Sequence, residues 1–397
     1  MTHANIPAGF RFAAMAAGLK KSQKPDLALI VSDQPATCAG VFTRNKVVAA
    51  PVVLTRDRLA DGSCRAVLVN SGNANACTGE KGMADATRCG DLVAEQLEIP
   101  AEMVAVSSTG VIGQQLPMEK FEAAIPTLCT MLGEADGEAV ARAMMTTDQF
   151  PKHSTFQADV DGVGYSLLGL AKGAGMIHPD MATMLGFILT DAAIDRGTLQ
   201  EMLQRVTGTT FNAITVDRDT STNDMVLVLA NGAAGNKKIS AGSPEAAVFE
   251  QGLHKVMLDL AKMIVRDGEG ATKLVEVKIR GARGTADARL AAESVATSNL
   301  VKTAFFGADA NWGRIIAAVG YSGADVDQGL VGISFDDVQV VEHGLWIGAE
   351  QEAMATQVLQ APEFTVTVDL GLGQGEFSYY TSDLTYDYVK INADYRT

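Results

Sequence analysis

The sequence contains no long apolar run, because charged residues or glycines interrupt every stretch of about eighteen residues. A membrane-spanning helix is therefore not expected. A surplus of positive charge is also missing, since 32 basic side chains stand against 47 acidic ones and give a net charge of −15. Such a chain repels the phosphates of a nucleic acid, so a nucleic-acid partner is disfavoured as well.

Cysteine pairs are equally absent. The five cysteines are odd in number, none shows the CxxC spacing, and all lie in the first third of the chain. This pattern favours reduced thiols in a cytoplasmic protein over a disulfide framework. Apolar residues are plentiful, at 47% of 397, so the chain is predicted to fold into two or three compact domains rather than to remain disordered.

The common catalytic and nucleotide-binding motifs do not occur. There is no HExxH, no GxxxxGK[ST] and no GxSxG, and the five histidines are isolated, so no metal site is predicted. The acidic segment 217–224 resembles a calcium loop but lacks its glycine and its glutamate, which favours a hydrogen-bonded turn instead. The glycine pairs within 173–175 and 268–270 are too short to predict a dinucleotide site.

Short β-branched runs mix with stretches of helical periodicity, which predicts an α/β (α+β) fold of mixed sheets layered with helices. The predicted strands cover residues 27–32, 41–43, 65–70, 103–107, 185–190, 224–230, 274–280 and 364–369. The predicted helices cover residues 79–97, 118–131, 198–206, 245–265 and 286–298.

One stretch is unusual for its composition. Residues 171–185 read AKGAGMIHPDMATML, so two glycines and a proline precede an apolar run that enters a predicted strand. Considered alone, Thr183 in this run is most simply a strand threonine whose hydroxyl bonds a neighbouring carbonyl. The segments found elsewhere in the chain favour another interpretation.

These segments are NSGNANA at 70–76, SSTGVI at 107–112, MTTD at 145–148, TVDRDTSTND at 215–224, VRDGEGATK at 265–273 and INADYRT at 391–397. With residues 171–185, and in this order, they resemble the ornithine acetyltransferase family of arginine biosynthesis from Gly9 to the last residue. Gln149 and Ala310 depart from the family pattern, but neither has an implied role. Residues 1–25 are basic and loosely resemble a transit peptide, yet 9–20 resemble the family's own beginning, so no presequence is expected.

The resemblance implies that the chain cleaves itself between Ala182 and Thr183. The products are an α chain of residues 1–182, with the oxyanion hole, and a β chain of residues 183–397. Thr183 then becomes an amino-terminal nucleophile, and the resemblance implies the fold of enzymes that use such a nucleophile. The α-amine of Thr183, with an ordinary pKa of about 7.7 to 8.0, acts as the base for its own hydroxyl. Two α and two β chains are expected to assemble.

The implied reaction transfers acetyl from N2-acetylornithine to glutamate by a ping-pong route through an acetyl ester of Thr183. No cofactor is expected, and whether acetyl-CoA also serves as a co-substrate stays open. Thr109 and Gly110 are the implied oxyanion hole, which uses a hydroxyl and a backbone N–H. The implied substrate contacts are Thr146, Lys172, Thr183, Glu269, Asn392 and Thr397.

Two interpretations from other classes are retained. An autoprocessed aminopeptidase or amidase resembles this fold but passes the acyl group to water, so free acetate would appear. A non-enzymatic binding protein on the same scaffold would show no cleavage between Ala182 and Thr183.

Overall fold

The computed structural model describes residues 6–178 and 184–394, which belong to two compact units. The first unit contains the described residues up to 212 together with 219–264, and the second contains 213–218 and 265–394. Both units combine helices with a mixed sheet, which confirms the predicted fold class. Among the described residues, no helix is both long enough and apolar enough to span a bilayer.

The first unit is built around one sheet of eight strands. Its strands are β1 (Phe10–Met15), β2 (Leu27–Phe42), β3 (Ser63–Asn73), β4 (Val104–Val111), β5 (Lys152–Val160), β6 (Val163–Lys172), β7 (Leu185–Thr190) and β9 (Met225–Ala230). Its helices are α1 (Ala50–Arg58), α2 (Gly79–Leu97), α3 (Met118–Thr130), α4 (Gly137–Met144), α5 (Arg196–Thr209) and most of α6 (Pro244–Arg266).

The strand order is β4-β3-β2-β9-β7-β6-β5, and β1 pairs with β2. The strand β2 joins two halves of this sheet, because its first part pairs with β3 and its last part pairs with β9. The β2–β3 register shifts between Val31 and Ala36, and such an irregularity bends a strand. One apolar cluster contains Ile30 and Val67 from one half together with Leu170 and Phe187 from the other. The two halves therefore face each other across a shared core.

Helices cover the outer faces of both halves. Alternate residues of β2 point away from the shared core, and Leu27 and Leu29 pack with Val93 of α2 and Phe121 of α3. On the other half, Gly169 of β6 lies so close to α6 that an added Cβ would stand 2.4 Å from a methyl of Val256. Because both faces are covered, the central strands β7 and β9 are buried throughout.

The second unit has a seven-stranded sheet in the order β13-β12-β11-β14-β10-β15-β8. Its strands are β8 (Ile214–Thr215), β10 (Leu274–Ala282), β11 (Gly332–Phe335), β12 (Val338–Glu342), β13 (Leu345–Trp346), β14 (Glu363–Asp369) and β15 (Gly375–Ser382). Its helices are α7 (Thr285–Ala296), α8 (Asn299–Phe306), α9 (Trp312–Gly320), α10 (Ala349–Val358) and α11 (Tyr386–Asp394). Small buried residues such as Ala288 and Ala292 let α7 lie close to β10 and β15.

The predicted helices are all present, with ends within three residues of their expected positions. The prediction of separate strands at 27–32 and 41–43 is wrong, because 27–32 and 41–42 belong to the single strand β2, which ends at Phe42. Exposed Asp33 and Gln34 interrupt the apolar pattern there, although the backbone stays extended. The predicted strand 103–107 continues as β4 to Val111 and so includes the implied oxyanion residues.

Candidate active site

The end of β4, which lies beside the end of β3, carries the implied oxyanion residues. The two strands run parallel, and Gly72 lies opposite Gly110. Asn223 Nδ2 donates a hydrogen bond to the carbonyl oxygen of Ser108 at 2.9 Å, and the Asn223 side chain is buried. This bond fixes the backbone immediately before Thr109.

Gly110 allows two backbones to approach closely. Its φ of 134° lies in a region that side chains rarely adopt. A Cβ at this position would stand 2.4 Å from the carbonyl carbon of Gly72 and 2.5 Å from the nitrogen of Asn73. Only glycine fits here without moving β3.

Lys172 connects the end of β6 with the end of β4. Its Nζ donates a hydrogen bond to Thr109 Oγ1 at 3.1 Å, and both residues are buried, at 9% exposure each. Lys172 is also the last residue of β6, where it lies opposite Leu185 of β7. Leu185 is two positions after Thr183, which, with Ala182, lies outside the described residues.

A buried carboxylate holds the neighbouring segments together. Asp148 Oδ2 accepts a hydrogen bond from the Thr146 N–H at 2.9 Å, and Oδ1 accepts from the Gly173 N–H at 2.8 Å and from Lys152 Nζ at 2.7 Å. Burial alone would raise the pKa of Asp148, but attraction by Lys152 and Lys172 and the bond from Thr146 lower it to about 2. Asp148 is therefore an anion at neutral pH.

Asp224 lies directly before β9 and beside the start of β7. Its carboxyl group accepts hydrogen bonds from the Met184 N–H and the Ser221 hydroxyl. Its Oδ2 is buried and has no hydrogen-bond partner in the part of the chain that the structure describes. Burial raises the pKa of Asp224 well above its usual range, against the attraction of Lys172 and the two hydrogen bonds. The low-dielectric surroundings thus favour the protonated acid.

The second unit brings together two other implied substrate residues. Glu269 is buried, and its Oε2 accepts a hydrogen bond from Asn392 Nδ2 at 2.9 Å. The same Nδ2 donates to the carbonyl oxygen of Tyr388 at 3.0 Å. These bonds tie the loop before β10 to α11.

That loop is held firmly along its length. Asp383 Oδ1 accepts from the Thr272 N–H at 2.8 Å and from the Lys273 N–H at 3.1 Å. The Thr385 hydroxyl donates to the carbonyl oxygen of Gly270 at 2.8 Å. Two residues of the short segment after β15 therefore hold the loop that carries Glu269.

The implied site residues thus fall into three groups. Thr109, Gly110, Thr146 and Lys172 lie in the first unit, where Lys172 contacts Thr109 directly. Glu269 and Asn392 contact each other in the second unit. Ala182, Thr183 and Thr397 lie outside the described residues.

Sequence reasoning missed Asp148, Lys152 and Asp224. Asp148 stands in the MTTD segment, so its proximity to Thr146 was visible, but its bond to Gly173 was not. Asp224 ends the acidic segment 217–224, where the Asn223 N–H donates to Ser221 Oγ at 3.1 Å as expected for a turn. In the described ranges, no three histidine, cysteine, aspartate or glutamate side chains are grouped so as to hold a metal ion.

Comparison with known proteins relates the chain to one family. The ArgJ family model matches residues 11–397. The arginine biosynthesis bifunctional protein ArgJ of Syntrophotalea carbinolica is 63% identical over 98% of this chain and 99% of its own length. The protein of that name from Geobacter sulfurreducens is 58% identical with the same coverage. A crystal structure of the Bacillus halodurans protein argJ is 47% identical, with a TM-score of 0.51, over 53% of this chain and 98% of that chain.

Proposed function

Since the chain belongs to the ArgJ family, it is an acetyltransferase of arginine biosynthesis, and we propose how its residues carry out the reaction. The acetyl group of N2-acetylornithine passes to glutamate in two half-reactions, and the products are ornithine and N-acetylglutamate. Acetyl-CoA serves as a second acetyl donor, in keeping with the word bifunctional in the names of the relatives.

The first step is self-cleavage. The Thr183 hydroxyl attacks the carbonyl carbon of Ala182, the C–N bond breaks, and water hydrolyses the resulting ester. The products are chains of 182 and 215 residues. The solved Bacillus halodurans chain supports this step, because 98% of it corresponds to only 53% of the present chain, which is the proportion expected of one cleaved chain.

The new amino terminus supplies the base for acyl transfer. The α-amine of Thr183 accepts the hydroxyl proton while the oxygen attacks the acetyl carbonyl of N2-acetylornithine. The amide bond breaks, ornithine leaves with the proton, and Thr183 holds acetyl as an ester. The amine of glutamate then attacks this ester, the C–O bond to Thr183 breaks, and a proton from the amine passes to the Thr183 oxygen, which gives N-acetylglutamate and restores the hydroxyl.

Both tetrahedral intermediates carry negative charge on oxygen, and Thr109 and Gly110 stabilise it by donating from a hydroxyl and a backbone N–H. The observation that carries this proposal is the 3.1 Å contact between Lys172 Nζ and Thr109 Oγ1. It supports the proposal because the Thr109 hydroxyl lies at the end of β6, where the ladder partner of Lys172 is Leu185, two positions after Thr183 in the sequence.

The remaining residues recognise an amino acid that carries two charges. Lys172 supplies a cation for a carboxylate, and Glu269 supplies an anion for an ammonium group. Thr146, Asn392 and Thr397 donate and accept hydrogen bonds, so they serve both ornithine and glutamate. The enzyme works without a cofactor in the cytoplasm as two α and two β chains, so light scattering should give about twice 41.7 kDa.

An acetyl-transfer assay tests this function. Purified protein is incubated with N2-acetylornithine and isotope-labelled glutamate, and labelled N-acetylglutamate should appear in equal amounts with ornithine. Release of free acetate in its place would identify an amidase and overturn the proposal. Labelled product from acetyl-CoA and glutamate would establish the second donor.

The replacement Thr183→Ala tests the nucleophile. Without the hydroxyl, neither cleavage nor ester formation has an attacking atom, so a single chain of 41.7 kDa without transferase activity is expected. Thr183→Ser keeps a hydroxyl and should still give two chains. Two chains from Thr183→Ala on a denaturing gel would show that Thr183 is not the cleavage nucleophile.

A further inference from the structure

We infer that Asp148 is a positioning residue, which holds the backbones of Thr146 and Lys172 where substrate meets them. The inference rests on the proposed function, since it takes both residues as substrate contacts. It concerns an aspartate for which the sequence implied no role.

The bonds of Asp148 reach beyond the end of a β-ladder. The antiparallel pair β5–β6 ends with Lys152 opposite Ala171. Past this point, one carboxylate bonds the N–H of Thr146 on one segment and the N–H of Gly173 on the other. The Asp148 side chain thus links the two segments beyond the point where the backbone pairing of β5 and β6 ends.

The consequence for the site follows from covalent geometry. Gly173 is directly bonded to Lys172, so a shift of its N–H moves the lysine whose Nζ contacts Thr109. Thr146 is tied to the other oxygen of the same carboxylate. A displaced Asp148 would therefore change the spacing between two substrate contacts at once.

A purely structural role would make Asp148 only the counter-ion of Lys152. Both side chains are fully buried, and Lys152 Nζ lies 2.7 Å from Asp148 Oδ1. Because its charge is buried, Lys152 needs a compensating charge. Neutralising Lys152, however, requires only one of the three bonds that the carboxylate accepts. The other two go to backbone N–H groups of Thr146 and of the residue after Lys172.

Three variants separate these roles. Asp148→Asn keeps the shape but has one acceptor oxygen, so it loses the bond to either Thr146 or Gly173. Lys152→Met removes the cation and leaves both backbone bonds in place. The double variant Asp148→Asn/Lys152→Met removes both charges, so no buried charge is left unpaired.

Initial rates with N2-acetylornithine, and calorimetric titration with ornithine, provide the measurements. We expect Asp148→Asn and the double variant to raise KM and the Kd for ornithine about tenfold to a hundredfold. Lys152→Met should stay within about threefold of wild type, and the double variant should recover thermal stability relative to Asp148→Asn. If Asp148→Asn does not fold, the double variant decides.

Wild-type KM and Kd in the double variant would overturn the positioning role, and so would an equal rise in Lys152→Met. A wild-type protein that neither transfers acetyl nor binds ornithine would instead overturn the proposed function. The two failures are therefore distinguishable.

Discussion

At Gly110, the backbone of β3 occupies the space that a side chain would need. Gly110→Ala would place a Cβ 2.4 Å from the carbonyl carbon of Gly72 and force a φ of 134° on alanine. We expect this variant to lose acetyl transfer by about a hundredfold or more, because the Gly110 N–H, which is the proposed oxyanion donor, moves. Gly113→Ala is the matched control, since Gly113 also has a positive φ but nothing within 4 Å of its added Cβ. Equal rates in both variants would contradict the expectation.

The role of the Thr109 hydroxyl can be tested with a substitution that leaves the side-chain volume nearly unchanged. Thr109→Val removes the proposed oxyanion donor and its contact with Lys172. The kcat should therefore fall about a hundredfold to a thousandfold, while the KM for N2-acetylornithine changes less. Thr109→Ser retains the hydroxyl and should stay near wild-type kcat. A normal kcat in Thr109→Val would remove Thr109 from the oxyanion hole.

The residue types of the site could be predicted, but their connections could not. Thr109, Gly110 and Lys172 stand in segments whose sequences resemble those of a known family. Asp148 stands in such a segment as well, yet its role depends on the Gly173 N–H, 25 positions away. Local sequence does not show which backbone group a side chain reaches after folding.

At the scale of elements, periodicity gave the whole length of the longest helix but divided one strand. The long helix α6 (Pro244–Arg266) was predicted at 245–265, because its apolar positions recur along one face. The strand β2 was divided in two, because its exposed middle, with Asp33 and Gln34, lacks the apolar residues that mark a strand. Its continuity comes from pairing with β3 and β9, which is tertiary information.

The helix α8 buries Lys302 in the interior of the second unit. This burial makes the free energy of unfolding depend on pH. Lys302 Nζ donates to Thr381 Oγ1 at 2.8 Å and to the carbonyl oxygen of Ser382. Burial lowers the pKa of Lys302 to about 7, although Asp383 and Asp217 act to raise it. Because an unfolded lysine titrates near 10.5, the unfolded state binds more protons between pH 7 and 10, and folding is favoured as the pH rises.

We therefore expect the wild type to gain stability over Lys302→Met as the pH rises from 7 to 9, by about 2 kcal/mol. Thermal melting of both proteins at the two pH values measures this difference. Lys390→Met, which replaces an exposed lysine of the same unit, should show no such change relative to wild type. A difference between wild type and Lys302→Met that is independent of pH would contradict the assigned pKa.

At the scale of the whole chain, the proposed cleavage leaves the products interleaved in one sheet. Residues 1–182 would supply β1 to β6, and residues 183–397 would supply β7 and β9. In the strand order, β7 and β9 lie between β6 on one side and β2 on the other. Every residue of β7 and β9 is buried. Separating the chains would break ladders on both sides and expose this apolar surface.

Net charge does not hold these chains together. Residues 1–182 contain 15 basic and 19 acidic side chains and residues 183–397 contain 17 and 28, so the net charges are −4 and −11. Two anionic chains repel each other on average, and salt weakens that repulsion because the screening length falls to about 3 Å at about 1 M salt. The association must therefore come from strand pairing and the shared core.

We accordingly expect the cleaved chains to elute together in size-exclusion chromatography at both low and about 1 M sodium chloride. Urea should separate them only as the sheet unfolds, so chain separation and loss of the far-ultraviolet circular dichroism signal should share one midpoint. After removal of urea, the two chains should refold less completely than uncleaved Thr183→Ala, because β7 and β9 must enter the sheet from a separate molecule. Dissociation in salt alone, with the secondary structure retained, would show that the chains meet at a polar surface rather than within one sheet.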